Sequence, residues 1–318
     1  MQNSPLPVTF LEKLKTLFSE EEIENIIASY SLPSDPSIRL NTLLADEKTI
    51  LSELAKDQMS LQPIPWYKGA FLVMNMTTQD IIKLPSFEKG YFYLQGLSSM
   101  LPVLILDPKG EDIVLDMAAA PGSKTTQIAT LLHNKGKIFA NDISRERLFK
   151  LRAIIKQQGV TNTEIMTLPG EKIWQELPDY FDKVLLDAPC SMEGRFQADE
   201  VASYDHWSPK KVKELSHRQR YLLWSAVSTT KVGGTIVYST CTLSPEENEE
   251  VVNFVVEKAQ GSVSIEKIEI EGVPAKNGLT SWKKKIFLPE LSNTMRILPQ
   301  KNYEGFYVAK LRKNAIKT

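Results

Sequence analysis

Cysteine and histidine are scarce in this sequence, with two of the first and three of the second among 318 residues. Two cysteines cannot staple a disulfide framework. His133, His206 and His217 stand at no ligand spacing with either Cys190 or Cys241, which argues against a zinc site. There is no CxxC, so a thioredoxin-type redox pair is out. Excess charge is also lacking: the net is −1, which excludes coating nucleic acid by bulk charge but permits a local basic patch. No apolar run approaches the roughly 20 residues of a membrane span. The opening stretch MQNSPLPVTF has neither a basic nor an apolar signal region, so no secretory leader is expected. With 42% hydrophobic and 24% charged residues, the composition is that of a folded chain rather than a disordered one. A cytoplasmic enzyme or binding protein remains, long enough for about two domains.

The charge that is present is unevenly spread. Residues 276–318 carry ten Lys or Arg against Glu290 and Glu304, a net of +8, while residues 1–60 carry a net of −5. A basic segment on an otherwise acidic chain suggests a polyanion partner, and a lysine-rich solvated face accounts for it equally.

Residues 9–30 read as two short helices. Phe10, Leu14, Leu17 and Phe18 share a face, and Ser19 with Glu22 forms a capping box before Ile23, Ile26 and Ile27. A mixed region follows, with a domain division between residues 88 and 89 and a helix over about 95–106. Beyond it, β-type runs alternate with helical patterns. The strands expected are Ile113–Met117, Lys137–Asn141, Thr163–Leu168, Lys183–Asp187, Thr235–Ser239, Val263–Ile270 and Phe306–Leu311. Helices are expected over Thr125–Leu132, Arg145–Gln157 and Pro245–Ala259, the last with Ser244 as N-cap, Pro245 at N1 and Glu247 at N3. This alternation predicts an α/β fold, a doubly wound, mostly parallel sheet with helices on both faces. Ligands of such sheets bind beyond the C-terminal strand ends.

One such end is the run Asp116 to Thr125, through Ala118, Ala119, Ala120, Pro121, Gly122, Ser123 and Lys124. Small residues there let a ligand approach the backbone, and the helix that follows has an electropositive start. The phosphate-loop and dinucleotide motifs are both absent. Asp142, 26 residues after Asp116, ends the next strand and is placed to accept from both hydroxyls of a ribose. It reads equally well as the acid of a helix N-terminus. A nucleoside ligand without pyrophosphate fits, and S-adenosylmethionine is the commonest.

The only two cysteines both follow strands: Cys190 in Asp187-Ala188-Pro189-Cys190-Ser191 and Cys241 in Ser239-Thr240-Cys241-Thr242. A single cysteine is usually a small buried hydrophobe. Two at the ligand edge of one sheet point to thiolate chemistry.

These residues resemble the NOL1/NOP2/Sun family of RNA cytosine-5 methyltransferases, nearest the bacterial 16S rRNA enzymes of the RsmF type. The likeness covers about residues 90–313, with a weaker match at Ile38-Arg39-Leu40-Asn41-Thr42. The resemblance implies a smaller α+β RNA-binding-type domain (1–88) and a class I, Rossmann-like methyltransferase domain (89–318). It implies an S-adenosylmethionine-dependent enzyme acting on rRNA, with tRNA as the other substrate class, no membrane and no obligatory protein partner. Cys241 would be the nucleophile that adds to C6 of cytosine, and Cys190 would serve product release. Asp187 would bind the base, and Lys124 would orient Asp187. The cofactor would lie over Ala118 to Lys124, with Asp142 on its ribose and Asp187 beside it. Two departures stand out. Met192 replaces the family's usual glycine in Cys190-Ser191-Met192-Glu193-Gly194, and Pro169 replaces the acid expected at the adenine, for which Glu171 is the nearest substitute. The larger bacterial relatives continue into a C-terminal extension. Two rivals remain: a DNA-type enzyme with Cys190 as nucleophile, and a weak or inactive RNA-binding assembly factor on the same fold.

Overall fold

A computed structural model of the chain describes residues 5–316. The two N-terminal helices form at α1 (Val8–Lys15) and α2 (Glu20–Ser29), and the Ser19–Glu22 capping box closes in both directions. Their apolar side buries Phe10, Leu14, Ile23 and Ile26 against Phe196, Tyr204, Trp207 and Leu243. The sequence put these helices in the first unit, yet their packing partners come from the second.

An antiparallel sheet follows, in the order β2-β3-β1-β4, built from β1 (Ser37–Leu40), β2 (Leu61–Pro63), β3 (Ala70–Val73) and β4 (Phe92–Leu94). Helix α3 (Glu47–Lys56) packs Ile50 and Leu54 onto Ile38, Leu40 and Phe92. The short helices α4 (Thr78–Ile81) and α5 (Pro85–Glu88) lead to β4, which lies beyond position 88. Helix α6 (Leu97–Leu106) is apolar nearly all round and is correspondingly buried.

Among the described residues the large sheet has nine strands. Its parallel part is β5 (Ile113–Asp116), β6 (Lys137–Asn141), β7 (Thr163–Met166), β8 (Phe181–Asp187) and β9 (Thr230–Thr240). Beyond β9 come antiparallel partners, chiefly β15 (Phe306–Lys313), which pairs with β9, with β10 (Val263–Glu266) and with β14 (Met295–Ile297). Strand β11 (Ala275–Asn277) pairs with β14, and β12 (Ser281–Trp282) with β13 (Lys285–Ile286) makes a separate hairpin. Helices α7 (Ser123–Leu132), α8 (Arg145–Gln157), α9 (Ile173–Glu176), α10 (Pro209–Thr229) and α11 (Glu249–Ala259) flank the sheet. One face packs Leu115, Phe181 and Tyr238 on Leu222, Leu223, Val251 and Val255. The other packs Val114, Ile138 and Val237 on Leu101, Val103 and Ile128. This is the expected doubly wound, Rossmann-like fold. No helix among the described residues is long and apolar enough to cross a membrane.

The winding reverses around β5, with β6 on one side and β8 on the other. At that switch point the C-terminal ends of β5, β6, β8 and β9 share one edge. They carry the small-residue loop, Asp142, Cys190 and Cys241 to the same place. One expected helix start is displaced. The helix signalled by Ser244, Pro245 and Glu247 begins at Glu249, with Asn248 before it. Ser244 does not cap because its hydroxyl donates to Glu193 Oε1 at 2.6 Å, and Glu247 turns to Ser191.

Candidate active site

The loop after β5 is held by the neighbouring strands, beginning with Met117 N–H, which donates to Leu185 O at 2.9 Å. Gly122 has φ +118°, and a Cβ there would meet Leu151 Cδ1 at 3.0 Å and Ile154 Cγ2 at 3.2 Å. Glycine alone lets the loop turn into α7 while α8 closes on it. Asp116 is buried, accepts from Thr125 Oγ1 at 2.6 Å, and is pushed up to about 6 by that burial. Ala119 N–H donates to Asn141 O at 2.8 Å. Asp142 accepts from Ala120 N–H at 3.3 Å and Ser144 N–H at 2.9 Å, and its Oδ2 lies 3.1 Å from Arg147. Asp142 therefore joins the loop to the start of α8, and both sequence readings of it describe part of its position.

The remaining predicted residues converge across β8 and β9. Cys190 Sγ and Cys241 Sγ lie 3.3 Å apart, both half-buried. The sulfur–sulfur hydrogen bond, burial and the nearby Glu247 carboxylate hold the Cys190 thiol well above its usual range. Either sulfur can be the donor of that hydrogen bond. Asp187 accepts from Lys124 Nζ at 2.7 Å on one oxygen and from Ser239 Oγ at 2.8 Å on the other. Lys124 also donates to Ser99 Oγ at 2.8 Å. Four predicted residues, Lys124, Asp187, Cys190 and Cys241, therefore come together from three loops.

Sequence reasoning missed what holds the two cysteine loops. Glu193, fully buried, reaches the second loop at Leu243 N–H (3.2 Å) and Ser244 Oγ (2.6 Å). It also accepts from Trp207 Nε1 at 2.9 Å and pairs with Lys13 of α1 at 3.2 Å. Burial pushes the Glu193 carboxyl up, but Lys13 and these donors outweigh it and hold it below the usual range. Gly194 N–H donates to Cys241 O at 3.0 Å, and Gly305 N–H to Gly194 O at 2.9 Å. A Cβ on Gly194 would lie 2.0 Å from Gly305 O, so two glycines allow the backbones to touch. The signal available was slight: Glu193 and Glu247 follow the two cysteines closely, but Glu247 lies in the acidic run Glu246-Glu247-Asn248-Glu249-Glu250 and does not stand out from it. Nothing in the sequence links either to Lys13.

One of the two departures finds a local explanation. Met192 occupies the left-handed region at φ +57°, where a glycine is unstrained, and its side chain points outward with 38% exposure. Glu171 pairs with Arg218 at 2.6 Å, so one of its carboxylate oxygens is already engaged, and nothing in the structure explains Pro169. In the basic C-terminal segment, seven cations are already ion-paired within the chain. Lys276 pairs with Glu22, Lys285 with Glu250, Arg296 with Glu249, Lys301 with Asp35, Lys310 and Arg312 with Glu266, and Lys313 with Asp179. Lys283 lies over the Trp282 ring at 3.9 Å, and Lys317 falls outside the described residues. The segment's charge is largely spent internally.

Comparison with known proteins gives the family. The family described as 16S rRNA methyltransferase RsmB/F matches residues 103–312, and the N-terminal domain of 16S rRNA methyltransferase RsmF matches residues 6–96. Ribosomal RNA small subunit methyltransferase F of Pectobacterium carotovorum is 38% identical over 316 residues, covering 98% of this chain but 63% of that protein. The chain thus spans less than two thirds of that relative. The tRNA (cytosine(49)-C(5))-methyltransferase of Pyrococcus abyssi is also 38% identical, over 95% of this chain and 96% of its own length. The crystal structure of a methyltransferase homolog protein from Pyrococcus horikoshii superposes with a TM-score of 0.79 at 30% identity, covering 97% of this chain and all of that one.

Proposed function

Because the chain belongs to the RsmB/F family of 16S rRNA methyltransferases, we propose that it is an S-adenosylmethionine-dependent RNA cytosine-5 methyltransferase acting on rRNA or tRNA in the cytoplasm. The observation that carries this reading is the cysteine pair, 3.3 Å apart, beside a carboxylate fixed by Lys124 and Ser239.

C5 of cytosine is a weak nucleophile. Addition of a thiolate at C6 turns the ring into an enamine whose C5 attacks an electrophilic carbon. By the family resemblance Cys241 is the sulfur that adds, with Cys190 beside it at 3.3 Å. Asp187, oriented by Lys124 and Ser239, accepts from the exocyclic amine of the base and shares a proton with N3, which takes up the charge developing on the ring. S-adenosylmethionine supplies the methyl group as an electrophile. The residues fit it: small Ala118, Ala119 and Ala120 leave the loop backbone approachable, Gly122 turns it into α7, and Asp142 backs it with a carboxylate for the ribose. Once Cys241 is a thioether, Cys190 has lost the anionic neighbour that kept its proton. Cys190 gives that proton to solvent and, as the thiolate, takes the proton on C5; the electron pair of that C–H bond forms the C5=C6 double bond, Cys241 leaves C6 as a thiolate, and the methylated base is freed. We assign the RNA side to the N-terminal part, whose sheet closes with β4 beyond residue 88, and the chemistry to the rest of the chain.

The test is covalent trapping. Cys241→Ala should abolish methyl transfer and form no adduct with RNA. Cys190→Ala should still attack and methylate but stall before elimination, leaving an enzyme–RNA complex that survives denaturing electrophoresis. Adduct from Cys241→Ala and none from Cys190→Ala would exchange the roles, as in a DNA-type enzyme. No adduct and no methyl transfer from the unaltered chain would make it a binding factor.

A further inference from the structure

Beneath the cysteine pair lies a carboxylate that the reaction as derived does not use. Glu247 is fully buried. Its Oε2 accepts from Ser191 N–H at 3.0 Å and from Gln219 Nε2 at 2.9 Å, and its Oε1 accepts from Ser191 Oγ. The same Ser191 hydroxyl lies 2.8 Å from Thr242 Oγ1. Ser191 follows Cys190 and Thr242 follows Cys241, so one carboxylate holds the residue after each cysteine. We propose that Glu247 is a positioning residue that locks the Cys190 and Cys241 loops together through Ser191 and Thr242. The proposal rests on the assignment of both cysteines to the reaction.

The arrangement differs from that of Glu193, the other buried carboxylate of these loops. Glu193 has the Lys13 ammonium against it, whereas the groups bonded to Glu247 are neutral. A carboxylate gripping three donors without a cation is a directional brace rather than half of an ion pair. Its charged or titratable neighbours are Glu193 from the first loop, Cys190 above it, and Tyr238 of β9, whose hydroxyl donates to the Glu247 carbonyl; α10 contributes the neutral Gln219. Burial and Glu193 push Glu247 up to about 7. It therefore changes charge in the neutral range, and its ionised form adds to what keeps the proton on Cys190.

Because the chain has only two cysteines, each thiol can be watched alone. The experiment compares the pH dependence of iodoacetamide alkylation of Cys190 in Cys241→Ser and in Cys241→Ser/Glu247→Gln. Removing a buried negative charge at this range should lower the Cys190 midpoint by about one pH unit. Coincident midpoints in the two proteins would overturn the electrostatic part. The mechanical part is read with Ser191→Ala, which keeps every charge. Adduct formation with RNA should slow about tenfold while RNA affinity holds, and Ser191→Thr, which keeps the hydroxyl, should recover most of the rate. A Ser191→Ala protein that forms adduct at the unaltered rate overturns the brace. Alkylation needs neither RNA nor S-adenosylmethionine. Failure of the unaltered chain to methylate RNA would thus sink the proposed function and leave the alkylation result standing.

Discussion

The loop after β5 and the paired cysteine loops sit at the same edge of one sheet, but they are made differently. The first is a contiguous run, Asp116 to Thr125, shaped by small residues, one glycine and backbone hydrogen bonds. The second is drawn from widely separated parts of the chain: Lys13, the 190–194 stretch, Gln219, and 241–247. A loop that would cradle a cofactor needs close approach of a backbone, which its small residues and Gly122 supply locally. A pair of sulfurs held 3.3 Å apart needs its supporting groups fixed in three dimensions.

If that contrast is right, disturbing the second region should damage the fold itself, and disturbing the first should weaken ligand binding alone. The largest effect should come from Lys13→Ala. Lys13 is 12% exposed and Glu193 not at all, so the change strands a buried carboxylate and should cost about 4 kcal/mol in denaturant unfolding at pH 7. The pH dependence has a definite sign. Glu193 is held below the usual range in the fold, so its contribution is present above the unfolded value near 4.5 and is lost as pH falls through the folded value. The gap between Lys13→Ala and the unaltered protein should therefore narrow in acid, and a constant gap would show that Lys13 acts by packing alone.

Asp142→Ala should be smaller and of another kind. It removes a charged acceptor, and affinity for S-adenosylmethionine should fall by about 1.5–3 kcal/mol in calorimetry. The cysteine loops should be untouched, so iodoacetamide reactivity of Cys190 and Cys241 should not change. Unaltered affinity would leave Asp142 as the acid that ties the loop to α8 and nothing more.

The smallest effect should be that of Met192→Gly. A non-glycine residue at φ +57° carries a local cost of about 1 kcal/mol. Relieving it is partly offset by the greater freedom of glycine in the unfolded chain. Melting should move by no more than about 1 kcal/mol in either direction, and methyl transfer should persist. A large loss of activity would mean that the Met192 side chain contacts the base or RNA.

Several elements were legible for identifiable reasons. Lys137–Asn141 and Arg145–Gln157 form over the residues their patterns predicted, because alternating and helical spacing report directly on which side faces the core. The Ser19–Glu22 box formed because capping is settled within four consecutive residues. The same logic failed at Ser244 and Glu247. Their side chains match a helix start, but distant Glu193 and Ser191 offered buried hydrogen bonds, and leaving those groups unpaired would cost more than a lost cap. The basic C-terminal segment misled in a related way. A count of lysines and arginines does not show that Glu22, Asp35, Asp179, Glu249, Glu250 and Glu266 are folded against them.

The sequence by itself determined the alternating sheet, the small-residue loop with its one obligatory turn, and the arrival of Cys190 and Cys241 at strand ends. Each of these depends on side-chain period or backbone freedom within a few residues. Only the tertiary structure decided that the sulfurs would meet, that the Cys190 thiol would be pushed above its usual range, and that Lys13 would neutralise Glu193 while Glu247 stayed without a cation. Those outcomes depend on burial and on distances between segments as much as 231 residues apart, as from Lys13 to Ser244. The strength of an electrostatic contact is set by the surrounding medium and the separation, and neither exists until the chain has folded.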